Sequence, residues 1–341
     1  MTAILPAPAA RAAARAVPAA ARPDRLPGAA LSRLWRPVRP TDMSRTVSPL
    51  QHGRDDPTHR RPGDGSVWRA SRTPCGPGTL RLSQRRDGTV DATAWGLGAA
   101  WLLDGVPALL GDGDTHDGTT YFGGDHVVLR DAGRRFADWR VCRSGLVLES
   151  LVPVVLEQKV TGLEAKRSWR RLLAWFGEAA PGPVPPGADG SPGAPLRLIP
   201  DAATWARIPS WDWHRAGVGP ERSRRIVTVA RVAHRLEESL LMDLEAAATR
   251  LTAAPGIGVW TAAEVMQRAH GDPDAVSFGD YHVAKDVTWA FTGVVGDDAD
   301  MARLLRRWSG QRYRVCTLLS MAGIRRPRHG PRLSPSDMRA L

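Results

Sequence analysis

The sequence predicts an α+β N-terminal domain followed by an all-α domain built on a helix-hairpin-helix, and three observations predict it. Short runs in which apolar and polar residues alternate mark residues 45–144. Over residues 145–325 apolar residues recur at helical spacing instead. Within that second part, Leu251-Thr-Ala-Ala-Pro-Gly-Ile-Gly-Val-Trp-Thr-Ala262 stops one helical pattern and starts another with almost no loop between them. At 341 residues the chain is long enough for two domains and tails.

Residues 1–44 are Ala/Pro/Arg-rich, with Asp24 and Asp42 as their only acids. Their composition resembles an organelle transit peptide. They are read as a disordered tail or an overlong gene start, with Met43 as a candidate initiator. Val67-Trp68-Arg69-Ala70 is a short strand. Leu80 and Leu82 alternate with polar residues, Arg86-Asp87-Gly88 turns, and Val90, Ala92 and Ala94 alternate again, which is a hairpin pattern. Trp95 to Leu110 reads as a helix ended by Gly111. Gly/Asp-rich loops follow, then a strand-like run, His126-Val-Val-Leu129.

In the helical part Ala165, Trp169, Leu172, Leu173 and Phe176 fall on one face, as do Ile226, Val229, Ala230 and Ala233. Pro181 to Pro195 is a Pro/Gly loop expected to be exposed. Trp205, Trp211 and Trp213 are assigned to packing between helices. The second helix of the hairpin unit is expected to run to about Ala269. Leu304 to Met321 is a further helical stretch, and residues 326–341 form a basic, Pro-rich tail.

Net charge is +12 and the isoelectric point about 10.8. Of 47 basic residues only Lys159, Lys166 and Lys285 are lysine, so part of the arginine excess reflects composition. A basic chain suits a phosphate backbone better than an acidic substrate. Cys75, Cys142 and Cys316 are scattered, which excludes a disulfide framework, a cysteine metal site and a four-cysteine cluster. The nine histidines show no ligand spacing, and no phosphate-binding glycine fingerprint follows a strand. No apolar run is long enough to span a membrane. These features predict a soluble protein of a reducing compartment; the further expectation is a monomer in the cytoplasm, associated with the nucleoid.

Pro255-Gly256-Ile257-Gly258 predicts a tight turn that leaves backbone N–H groups of Gly256, Ile257 and Gly258 facing a phosphate at the start of a helix. Asp280 follows Gly279 just downstream. As a residue before a helix it is a good N-cap, and capping would also fix the direction of its carboxylate. A phosphate anchor and an acid on one small helical unit point to chemistry on nucleic acid.

The segments Pro255–Ala262, Asp272-Pro-Asp-Ala-Val276 and Phe278-Gly-Asp-Tyr281 resemble the DNA glycosylase superfamily named for the helix-hairpin-helix, a Gly/Pro-rich loop and an aspartate. Within it the likeness is to the 3-methyladenine DNA glycosylase II branch, over roughly residues 145–335. The resemblance implies that Asp280 is the catalytic aspartate. It implies that Trp260, with Tyr281, lines a pocket for a flipped base. Glu264, one helical turn past Trp260, stands where some relatives have an aromatic residue, and is read either as a surface glutamate of the helix or as a pocket residue that meets a cationic base. Thr261 joins the hairpin glycines among the DNA-binding residues. Val155-Leu-Glu-Gln-Lys-Val-Thr161 matches a helix start that carries a glutamine and then a wedge side chain, here Gln158 and Lys159. Some relatives have a pocket tryptophan where Ile324 stands. Lyase-competent members have a lysine nucleophile where Trp260 stands. The expectation is therefore a monofunctional enzyme of base excision repair that excises alkylated bases from double-stranded DNA, with no lyase activity. It requires no cofactor and no metal, although the resemblance allows a monovalent cation at the hairpin. The alternatives are a non-catalytic lesion-binding or DNA-architectural protein, and a glycosylase for oxidised or deaminated bases.

Overall fold

The computed structural model describes residues 29–114, 126–187 and 189–327. A five-stranded antiparallel sheet begins the chain: β1 (Leu31–Trp35), β2 (His59–Arg60), β3 (Val67–Thr73), β4 (Gly76–Gln84) and β5 (Val90–Trp95), in the order β1-β5-β4-β3-β2. The expected hairpin is β4–β5, with Leu80 opposite Ala94 and Leu82 opposite Ala92. Leu80, Leu82, Val90, Ala92 and Ala94 are all buried, so the alternation in sequence is the inward face of the sheet.

β1 corrects the expectation of a disordered tail over 1–44. It pairs with β5 along its full length, and Trp35 reaches the core beside Val90 and Leu50. Its sequence, Leu-Ser-Arg-Leu-Trp, is an edge strand with its polar groups outward, and the surrounding composition hid it. Met43 is buried at the start of α1 (Met43–Thr46), so a chain beginning there would lack the edge strand. Residues 1–28 and 328–341 lie outside the described residues.

α2 (Ala99–Asp104) and α3 (Val106–Leu109) cover the inner face of the sheet and end at Gly111, whose φ is +76°. The Gly/Asp loop expected next lies mostly outside the described residues. His126–Leu129 is not a strand. It opens α4 (Val127–Arg135), whose Leu129 and Ala132 bury one face against the C-terminal helices. A four-residue apolar run carries no periodicity that separates the two states.

The helical part begins with α5 (Val147–Glu157) and α6 (Gly162–Phe176). The face of α6 read from the sequence is the buried one at Ala165, Trp169, Leu172 and Leu173, and a Thr161/Glu164 capping box starts the helix. A small ribbon, β6 (Glu178–Ala179) with β7 (Arg197–Leu198), closes the Pro/Gly loop. α7 (Ala202–Arg207), α8 (Ser210–Ala216), α9 (Pro220–Arg231) and α10 (Ala233–Glu237) surround α5. Trp205 and Trp213 stack in that core with ring centroids 5.8 Å apart, whereas Trp211 is 67 % exposed. Then come α11 (Leu244–Thr252), α12 (Val259–Val265) with a π turn over Met266–His270, α13 (Val283–Thr292), α14 (Asp298–Leu305) and α15 (Arg312–Met321). The stretch expected as one helix over Leu304–Met321 is broken by a positive-φ glycine, Gly310.

A buried polar seam joins the two parts. Glu149 of α5 accepts hydrogen bonds from Arg69 (2.5 Å), the Ser71 hydroxyl (3.0 Å) and the Arg72 N–H (3.3 Å) of β3. The Trp169 indole N–H donates to Asp56 at 2.9 Å. Burial alone would raise the Asp56 carboxyl, but hydrogen bonds from the His59 ring and from the His52 backbone N–H hold it well below the usual range. His52 is lowered to about 3 and His270 to about 4, chiefly by burial, so both are neutral in the fold. Unfolded, each titrates near 6.5. Between pH 6.5 and about 4 the unfolded chain therefore binds protons that the folded chain refuses, and stability falls as pH falls. Each site contributes a slope of about 1.4 kcal/mol per pH unit across that window. Denaturant midpoints measured from pH 7 to 4 should fall steeply; a flat profile would contradict buried neutral histidines.

Candidate active site

The site is built by the reversal between α11 and α12. Asp243 caps α11 through the Ala246 N–H (2.8 Å). After α11 the chain turns back through Pro255 and Gly256. Gly256 has φ +85°, and a Cβ there would lie 2.5 Å from Cγ of Arg225, so both backbone and space require glycine. Ile257 departs from its expected role. Its N–H donates to the Ala254 carbonyl at 3.0 Å and its side chain is buried in the helical core. It anchors the turn and leaves no amide for a phosphate. Gly258 is extended and exposed, and it opens α12, whose first-turn N–H groups at Val259, Trp260 and Thr261 have no helix carbonyl behind them.

Gln158 locks this turn to α5. Its Nε2 donates to Oγ1 of Thr261 at 2.8 Å and to the Gly256 carbonyl at 3.4 Å, while its Oε1 accepts from Arg225 at 2.6 Å. The expected helix start is instead a helix end: Gln158 is the C-cap of α5. Thr261 is buried, so Gln158 and Thr261 position the hairpin from within. Lys159 follows with φ +55°, the one non-glycine residue at positive φ among the described residues, and it is exposed beside the hairpin. The α5–α6 turn thus holds it in a conformation that lysine rarely adopts. Gly256→Ala should unseat Arg225 and, through it, Gln158. We expect duplex-DNA affinity to fall about tenfold, checked by equilibrium titration; unchanged affinity would separate the turn from DNA binding.

Gly279, at φ +87°, gives its N–H to Asp298 at 2.7 Å and turns the chain into Asp280. Oδ1 of Asp280 accepts from the N–H groups of His282 (2.7 Å) and Val283 (3.0 Å), so it braces the start of α13, although the N-cap itself is His282 and not Asp280 as expected. Oδ2 accepts from the Trp260 indole at 3.4 Å. The acid and the aromatic ring predicted for one site therefore meet, and three N–H donors fix the carboxylate. Tyr281 differs from an enclosed pocket residue: it is 66 % exposed, with the Lys285 ammonium 3.9 Å from its ring centroid.

Glu264 also departs from its expected role of meeting a cationic base. Its Oε2 pairs with Arg268 at 2.6 Å and its Oε1 accepts from the Ser277 hydroxyl. Arg268 bonds onward to the Pro49 carbonyl at 3.0 Å, and Gln267 donates to Ser277 at 2.9 Å and to the Ala275 carbonyl at 2.8 Å. A side chain so committed holds the 271–280 loop against α12. Arg268, Arg225 and Ser277 carry no motif that marks them in the sequence. Ile324 packs half-buried on the C-terminal helical core. No group of acidic, histidine or cysteine side chains among the described residues could hold a metal ion, and no helix among them is long and apolar enough to cross a membrane. A cavity of about 720 Å³ lies between Ser48–Arg61 on one side and Gly187, Asp189 and Ser191–Ala194 on the other, and none of its lining belongs to the hairpin or the Asp280 loop.

No protein-family model and no curated protein sequence matches the chain. Solved structures do. The chain superposes on a 3-methyladenine DNA glycosylase from Archaeoglobus fulgidus with a TM-score of 0.69 at 17 % identity, covering 85 % of this chain and 98 % of that one. An 8-oxoguanine glycosylase/lyase from Clostridium acetobutylicum gives 0.63 at 11 % identity, covering 85 % of this chain and 95 % of that one. MBOgg1, solved with a low-affinity DNA ligand, gives 0.63 at 15 % identity, covering 85 % of this chain and 96 % of that one. The chain shares the fold of these three solved structures. The likeness extends into the N-terminal sheet, beyond the 145–335 span that the motifs alone delimit.

Proposed function

We propose that this chain is a monofunctional DNA glycosylase that flips an alkylated base, of the 3-methyladenine and 7-methylguanine class, out of double-stranded DNA and hydrolyses its bond to the sugar. The observation that carries the reading is the Asp280 carboxylate, fixed by two backbone N–H groups and the Trp260 indole beside the hairpin.

The hairpin and the first turn of α12 hold a phosphate, with Gly256 and Gly258 keeping the approach open. Lys159, exposed at the α5–α6 turn, fills the gap left by the flipped nucleotide with its stem and reaches a phosphate with its head. A monovalent cation at the hairpin would serve the same phosphate. The flipped base lies against Trp260, whose π face attracts a cationic purine. As the bond to the base breaks, positive charge grows on the deoxyribose, and Asp280 stabilises it and orients the attacking water. A tryptophan at position 260 offers no amine for a Schiff base, so the product is an intact strand with an abasic site.

Base release from methylated duplex DNA tests the reading. Free base with the strand unbroken until alkali is added is expected. A nick without alkali would contradict the monofunctional assignment, and binding without release would favour a lesion-binding protein.

A further inference from the structure

Glu157 is the last residue of α5, one step before the Gln158 amide that is pinned to Thr261. That bond fixes the end of α5 against α12. Charged groups of three neighbouring elements face Glu157: Glu264 and Arg268 of α12 and its π turn, Lys166 of α6, and Asp280 before α13. Arg268 is committed to Glu264. Among the described residues no hydrogen bond or ion pair engages the Glu157 carboxyl, although it is half-buried. Burial pushes it above the usual carboxylate range, and Glu264 and Asp280 push the same way against Arg268 and Lys166.

Two carboxyls on one site thus have opposite surroundings. Asp280 accepts three N–H bonds, while Glu157 accepts none. A carboxyl that burial holds above its usual range, beside one fixed by hydrogen bonds, is placed to give up a proton to a leaving base. We propose that Glu157 is the general acid of this site for neutral purines, protonating a ring nitrogen of the flipped base as it leaves. The inference rests on the glycosylase reading above. The C1′–N9 bond breaks and its electron pair goes to N9. The Glu157 proton goes to N3 or N7, so the base departs neutral. Water forms the new C1′–O bond and gives its proton to Asp280, and solvent returns a proton from Asp280 to Glu157. A base whose ring N-methylation already makes it cationic leaves neutral without this proton, which makes Glu157 a determinant of substrate range.

The test compares wild type and Glu157→Gln, under single-turnover conditions, on duplexes identical except for hypoxanthine, a neutral base, or 7-methylguanine, a cationic one. Wild type should release both. The variant should lose hypoxanthine release by about a hundredfold and change 7-methylguanine release by less than about threefold. Equal loss on both, loss on neither, or wild type that releases 7-methylguanine alone would overturn the role of Glu157 and leave the glycosylase reading standing. Wild type that releases neither base would overturn that reading itself. Should Glu157→Gln fail to fold, the wild-type pH profile decides: hypoxanthine release should fall as pH rises through the Glu157 titration, and a flat profile would overturn the proposal.

Discussion

Asp280→Asn is expected to fold, to bind duplex DNA as wild type does, and to release base about 10²–10⁴-fold more slowly. The amide has the shape of the carboxylate. Its oxygen can keep the bonds from His282 and Val283 that brace the start of α13, so the hairpin and the α13 start should stay in place. What is lost is the charge facing the sugar. Turned the other way, the amide would present NH₂ to backbone donors, and melting curves beside the activity data would reveal that. Affinity for a duplex carrying an abasic-site analogue, measured by titration, should change less than threefold or so, since phosphate contacts dominate it.

Trp260→Ala removes two contributions at once. The ring offers a stacking face to the flipped base, worth about 1–3 kcal/mol, or roughly 5- to 150-fold. Its indole N–H also bonds Asp280. We expect the alanine variant to lose about 100-fold in base release. Trp260→Phe separates the two parts: it keeps a ring and loses the N–H, so its deficit should be nearer tenfold. Single-turnover rates for both variants check this. An unaffected alanine variant would remove Trp260 from the site.

Much of the architecture was legible in the chain because periodicity reports burial directly. The β4–β5 alternation and the apolar stripe of α6 map onto the two main cores. The contact between Trp260 and Asp280 was legible because it rests on a local motif whose glycines and proline force the backbone. Long-range polar pairing was not legible. Glu264 reads as a free helical acid, and only the fold brings Ser277 and Arg268 to it. Gln158 reads as a DNA contact, and only the packing of α5 on α12 turns it inward. Glu157 drew no notice because an unpartnered carboxyl becomes distinctive only once its neighbours are placed. β1 was missed because five residues of edge strand inside an Ala/Pro/Arg-rich segment carry almost no pattern of their own.

The central claim is that a fixed carboxylate beside the hairpin drives departure of a damaged base. Single-turnover release of 7-methylguanine from duplex DNA, by wild type and Asp280→Asn side by side, tests it most directly. The account predicts free base and an unbroken strand with wild type, and release slowed at least about a hundredfold in the variant. Equal rates for the two proteins would contradict it.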